Sequence, residues 1–181
     1  MKRLILFRHA KSGWDDPALR DFDRPLNAKG KRAASAMGRH MRAQGLRFDR
    51  AVASPATRVA ETLDAFAEGY GRRIDPTWDR RLYLASPETI LEIVHEAPDS
   101  ADALLVSGHN PGIEELVLLL VPDMDGDEAR DRVEEKYPTA SVAEIGFDVD
   151  RWAEVKAGAG RLLRFTRPRD LDPALGPDAV S

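Results

Sequence analysis

Short apolar runs alternate with stretches of helical period along the chain, a strand, loop and helix rhythm that predicts an α/β fold with a largely parallel sheet. Leu4 to Phe7 is an uninterrupted apolar run, as expected of a strand buried on both faces. A loop rich in Gly, Asp and Pro (Lys11 to Pro25) follows. Asn27 then stands where it caps a helix running to Gln44, with Ala33, Ala34, Met37 and Met41 on one face and Gly45 as its stop. Ala51 to Ala53 reads as a second strand, and Ser54-Pro55 as an N-cap with proline at the first helical position. Ala56, Val59, Ala60, Leu63 and Phe66 form the buried stripe of that helix.

The same rhythm continues with a helix over Pro87 to Glu96 (Ile90, Leu91 and Val94 inward) and a buried strand over Ala103 to Val106. Asn110-Pro111 repeats the cap-plus-proline signal ahead of Ile113, Leu116, Val117 and Leu120. Pro122 to Lys136 is acidic and poor in apolar residues, which predicts a surface loop or a solvated helix. Its Asp123, Asp125, Asp127 alternation lacks the glycine spacing and final glutamate of a calcium loop. Ser141 to Phe147 and Arg161 to Thr166 are expected as an antiparallel pair at the sheet edge, with Trp152 and Val155 between them. Pro168 to Ser181 has no periodicity and reads as a loose tail. The expectation is a three-layer α/β/α sandwich on a mostly parallel mixed sheet, with one domain over residues 1–168 and a tail over 169–181.

Composition narrows the chemistry. With 43% of its 181 residues apolar, the chain has enough core to fold as an ordinary domain. The absence of cysteine removes thiol nucleophiles, disulfides and thiolate metal sites, and makes a reducing cytoplasm the expected compartment. The apolar opening stops at Arg8-His9, too short for an export signal or a membrane span. The net charge of -4 hides a strong asymmetry: residues 1–60 hold 14 Lys and Arg against 5 Asp and Glu, and residues 61–181 hold 13 against 26. That distribution favours an anionic substrate or partner near the first third, and the acidic whole argues against bulk nucleic-acid binding.

Three strands are each followed at once by basic groups: Arg8 and His9 after the first, Arg58 in the helix after the second, and His109 after the third. Ligands of open α/β sheets collect beyond the carboxyl ends of the strands, where helix N-termini also point N–H groups. Two arginines and two histidines there suit a tetrahedral oxyanion such as phosphate, because guanidinium forks bind its oxygens pairwise and stay charged. Neither histidine has an adjacent carboxylate, so a zinc site is not expected. A neutral imidazole beside phosphate is also a nucleophile. His9, held at the end of a buried strand, is the better placed of the two. His40 and His95 sit late in helices without a motif and are expected to be solvated.

These residues carry a family resemblance. Phe7-Arg8-His9-Ala10 resembles the signature of the histidine phosphatase superfamily, the phosphoglycerate mutase-like proteins. Ser54-Pro55-Ala56-Thr57-Arg58-Val59-Ala60-Glu61-Thr62 is similar to its second arginine segment, and Ser107-Gly108-His109-Asn110-Pro111-Gly112 to its second histidine segment. Arg8 to Ser12 together with Asp21-Phe22-Asp23-Arg24-Pro25-Leu26 is most similar to the SixA-like phosphohistidine phosphatases. The resemblance implies a phosphoglycerate mutase-like fold and a nucleophilic His9. It further implies a phosphate pocket of Arg8, Arg58 and His109, Arg24 as a further substrate contact, and no metal or organic cofactor. Larger members carry a glutamate proton donor between the counterparts of Arg58 and His109; here that stretch offers Asp79 and Glu88 outside any matching motif, and little chain for a cap over the site. The expected activity is hydrolysis of phosphohistidine on a protein through phospho-His9. The rivals are a phosphomonoesterase for a small phosphorylated metabolite and a phosphate-recognising binding module. Neither nucleic acid nor membrane is an expected partner, and the oligomeric state is left open.

Overall fold

The first strand, β1 (Lys2–Arg8), runs through the middle of a six-stranded sheet because both of its faces are apolar. Leu4 and Leu6 enter one hydrophobic cluster and Ile5 and Phe7 the other, all four fully buried. Burial of each such side chain is worth on the order of 1.5–3 kcal/mol, which makes this strand a rigid mount for Arg8 and His9 at its end. In this computed structural model, which describes residues 1–177, β1 pairs in parallel with β4 (Ala103–Gly108) and antiparallel with β5 (Val142–Phe147). Beyond β4 lie β2 (Arg50–Ala53) and β3 (Thr77–Trp78), both parallel; beyond β5, β6 (Arg161–Thr166) closes the edge antiparallel. The order is β3-β2-β4-β1-β5-β6. The two-residue β3, with both residues exposed, is too short to leave a periodic signal in the sequence.

Helices α1 (Ala28–Ala43) and α2 (Thr57–Tyr70) cover the face that carries Ile5 and Phe7. They touch backbone to backbone: a Cβ on Gly38 would lie 2.1 Å from the Phe66 carbonyl oxygen, and one on Gly69 2.0 Å from that of Ser35. Helices α3 (Pro87–His95), α4 (Gly112–Leu120) and α5 (Glu128–Glu135) cover the opposite face. The expected three-layer α/β/α sandwich is thus present. Asn27 caps α1 as expected, accepting a hydrogen bond from Gly30 N at 2.8 Å. In the acidic segment, Asp127 caps α5, and the buried Arg130 compensates Asp123 and Glu134 at 3.4 and 3.1 Å. No helix among the described residues is long and apolar enough to cross a membrane.

Several boundaries differ from the sequence reading. Helix α2 begins at Thr57 rather than directly after Ser54, and α4 at Gly112 rather than directly after Asn110. Asn110 still accepts a hydrogen bond from Glu114 N at 3.2 Å, and the Ser54 hydroxyl accepts from Ala56 N at 3.3 Å while also reaching the site described below. The segment after 167, expected to be loose, folds into α6 (Pro168–Leu171) and a 3₁₀ turn (Pro173–Leu175). Asp170 caps the backbone N–H of Arg167, and Leu171 and Leu175 pack against the cluster beneath α1. The last four residues of the expected tail, 178–181, lie outside the described residues. His95 is half-buried rather than solvated and hydrogen-bonds the Val155 carbonyl at 2.7 Å.

Candidate active site

The strand order sets β4 between β1 and β2, so the chain segments leaving these three strands emerge side by side at one end of the sheet. The four residues expected from the sequence meet there. His9 and His109 are both buried, with ring centroids 5.4 Å apart. Arg58, in the first turn of α2, brings Nη2 to 3.4 Å from His109 Nδ1. Arg8 projects toward the β5 side, where its Nη1 donates to the Tyr137 carbonyl at 2.7 Å.

The hydrogen bonds set the tautomers. His9 Nδ1 is 2.7 Å from the Ala10 carbonyl oxygen, which only accepts, so the proton sits on Nδ1 and Nε2 keeps its lone pair. Nε2 has no hydrogen-bond partner among the described residues. In His109, Nδ1 faces the donor Arg58, which puts the proton on Nε2, and Nε2 donates to Ser54 Oγ at 2.7 Å. Burial pushes both rings toward neutrality. The His9 imidazolium is disfavoured by desolvation and by the charges of Arg8, His109 and Arg58, bringing its pKa down to about 3 despite the Ala10 bond. His109 falls to about 4, through desolvation and Arg58, partly offset by Asp21. Burial also lowers the Arg8 pKa, with Glu114 and Tyr137 opposing and Arg58 reinforcing the shift. Thr62 ties two motifs together, accepting from Ala10 N at 2.8 Å and donating to the Arg58 carbonyl at 2.6 Å.

Two residues of the site, Asp21 and Ser54, were given no site role from the sequence, and Tyr83 joins them. Asp21, in a 3₁₀ turn of the loop after β1, accepts from Arg58 Nη2 at 3.0 Å and from the Tyr83 hydroxyl. Its other oxygen accepts from Arg24 Nη1 at 3.0 Å, and its backbone carbonyl from Arg58 Nη1 at 2.7 Å. Desolvation raises its pKa, but the Tyr83, Arg58 and Arg24 donors outweigh that and bring it to about 2. Tyr83 packs edge-on against His109 at 5.3 Å, and Ser54 holds its Nε2. The Asp-x-x-Arg-Pro spacing was the only signal for Asp21; Ser54 was masked by its resemblance to a helix cap.

Arg24 is linked to His109 through Asp21 and Arg58. It is buried, bound to Asp21 and to Ser12 Oγ, with the exposed Trp14 stacked on its guanidinium. The two acids weighed as proton donors lie elsewhere: Asp79 is bound by Arg81 at 2.7 Å and caps a 3₁₀ turn, and Glu88 is exposed at the start of α3. Neither hydrogen-bonds the cluster among the described residues.

A mostly parallel α/β/α sandwich that gathers two neutral histidines and two arginines beyond its strands presents a site suited to a phosphoryl group. Residues 4–83 match the Histidine phosphatase superfamily (branch 1). The uncharacterised protein Rv1276c of Mycobacterium tuberculosis is 35% identical over 163 residues, covering 90% of this chain and 99% of that protein. Among solved structures, the SixA protein of Nakamurella multipartitia, a candidate phosphohistidine phosphatase, is 29% identical with a TM-score of 0.80, over 92% of this chain and 96% of that one. The corresponding SixA protein of Agrobacterium tumefaciens is 26% identical with a TM-score of 0.76, over 92% and 98%. The chain belongs to the histidine phosphatase superfamily, and within it is a SixA-like phosphatase.

Proposed function

We propose that the protein hydrolyses phosphohistidine carried on a protein, through a covalent phospho-His9 intermediate. The observation that carries this reading is the state of His9: buried, neutral, with Nδ1–H spent on Ala10 and the Nε2 lone pair open. Nε2 attacks phosphorus while the bond from phosphorus to the substrate imidazole breaks. A substrate ring that carries a proton on its other nitrogen leaves as neutral imidazole, so no acid is needed in this step. Water then attacks the phosphorus of phospho-His9 and the P–Nε2 bond breaks. Both hydrogens of the water depart on dihydrogen phosphate, and His9 returns to its starting tautomer.

Arg8 and Arg58 hold the non-bridging oxygens, with Arg24 as a further contact, and His109 borders the same oxygens beside Arg58. An alkoxide leaving group would need a proton donor, usually worth 10² to 10⁴ in rate. Asp21 is ionised at neutral pH, Asp79 is paired and Glu88 is remote, which favours the phosphoramidate over an ester. The SixA neighbours named above agree with this substrate class.

The test is phosphate release from a phosphohistidine-bearing protein, a phosphoserine peptide and a panel of sugar phosphates, with His9→Ala alongside. Preference for phosphohistidine, lost by at least about 10³-fold in the variant, is expected. Preference for sugar phosphates would transfer the same pocket to a metabolite phosphatase. Binding without turnover would overturn the enzymatic reading.

A further inference from the structure

The segment from Leu82 to Ala85 lies against the residues on both sides of His109. A Cβ on Gly108 would lie 3.8 Å from the Leu82 carbonyl oxygen, and one on Gly112 2.0 Å from that of Ala85. Between them, Tyr83 packs edge-on against the His109 ring and donates to Asp21. Ala85 N donates to the Leu82 carbonyl at 3.3 Å, and Tyr83 has φ of -64° and ψ of 114°, which makes this a type II turn. The third position of such a turn needs a positive φ, met without strain by Gly or Asn. Here it is Leu84, at φ +50° and 58% exposed. Ala140, the other non-glycine residue at positive φ among the described residues, is buried and donates its N–H to the His9 carbonyl at 2.9 Å. Leu84 instead combines an unfavourable backbone with a large apolar side chain set in water.

We infer that Leu84 is a specificity-determining residue, held at the mouth of the site to pack against an apolar side chain of the substrate polypeptide next to its phosphohistidine. The identity of that polypeptide rests on the function proposed above, since a chain whose phosphoryl group lies at His9 has to leave past the residues bordering His109. Exposed apolar groups recur in the loop that meets this turn. Trp14, 74% exposed, stacks on Arg24, which binds the same carboxylate as Tyr83, and Leu19 is also exposed. Backbone strain kept beside a reacting centre points to a contact made there. Covering Leu84 removes apolar surface from water, so an exposure that is unfavourable in the free protein becomes affinity in the complex.

Two peptides test this, each bearing one phosphohistidine and differing only in having Leu or Ser at the two positions on either side. The expected KM is about tenfold lower for the Leu peptide, the effect of burying the exposed part of one leucine against an apolar neighbour. Leu84→Asn and Leu84→Gly both suit the turn, so neither should lower the Tm, while the KM ratio should shrink to about twofold or less. Turnover of p-nitrophenyl phosphate, whose leaving group needs no proton donor, should be unchanged in both variants. Equal KM values in the native protein, a ratio that survives both variants, or a Tm lowered by more than about 5 °C in both overturns the assignment. The same phosphopeptides, used as inhibitors of p-nitrophenyl phosphate hydrolysis, separate it from the catalytic reading. A Leu preference in Ki that the variants abolish upholds the role of Leu84 even if neither phosphopeptide is hydrolysed. Hydrolysis of both with equal KM and equal Ki refutes that role alone, and phosphopeptides that are neither hydrolysed nor inhibitory overturn both.

Discussion

Acidification from pH 7.5 to 5 should cost this protein about 4 kcal/mol of folding stability, because two buried histidines must stay neutral for the native state to persist. An unfolded histidine titrates near 6.5, whereas in the folded chain His9 is held down to about 3 and His109 to about 4. Both folded values are depressed, so between these limits the unfolded chain binds more protons than the native one. The stabilisation is complete above about pH 6.5 and is lost as pH falls toward the folded values. At pH 5 each ring contributes about 2 kcal/mol to the loss, a large share of the 5–15 kcal/mol typical of a folded domain. Asp21 does not confuse the measurement, since its carboxylate, with a pKa of about 2, loses its contribution only below the ordinary carboxylate range.

Urea unfolding at the two pH values, followed by the fluorescence of the fully buried Trp152 and the other tryptophans, measures the difference. His9→Gln and His109→Gln should each reduce the pH-dependent loss to about 2 kcal/mol, whatever their effect on stability at neutral pH. A loss below about 1 kcal/mol in the native protein would refute the reasoning. So would imidazole ¹⁵N resonances showing His9 titrating near its ordinary value.

Two further perturbations address the site and its scaffold. Asp21→Asn removes a negative charge 3.0 Å from the Arg58 guanidinium while keeping an oxygen acceptor, and should tighten inhibition by inorganic phosphate about fivefold; weaker inhibition would mean that the charge of Asp21 serves mainly to orient Arg58. Gly38→Ala sets a methyl group against the Phe66 carbonyl and should destabilise the protein by more than about 2 kcal/mol, read as a lowered Tm, because neither helix backbone can yield without moving the other.

Much of this protein was determined locally. Four apolar residues in a row at 4–7, the helical stripes of α1 to α4 and the cap at Asn27 are statements about neighbours along the chain, and they specify the layers before any contact is known. The basic residues after three strands pointed to one anion site for the same reason, since parallel strands deliver their ends to one edge. Local signals misled where a side chain had two possible partners. Ser54 reads as a helix cap, and its hydroxyl does accept from Ala56 N at 3.3 Å, but the fold also brings His109 to within 2.7 Å, a second partner that no local signal shows. Pro168 to Leu175 lacks a period because its elements are only four and three residues long, yet Leu171 and Leu175 find a surface beneath α1. Asp21 becomes part of the site only when the loop after β1 folds back onto Arg58 and Tyr83. The sequence by itself determined which residues are buried along each element and which basic groups emerge at the strand ends. Only the tertiary structure decided tautomers and charge states, because these depend on desolvation and on donors and acceptors brought together from distant parts of the chain.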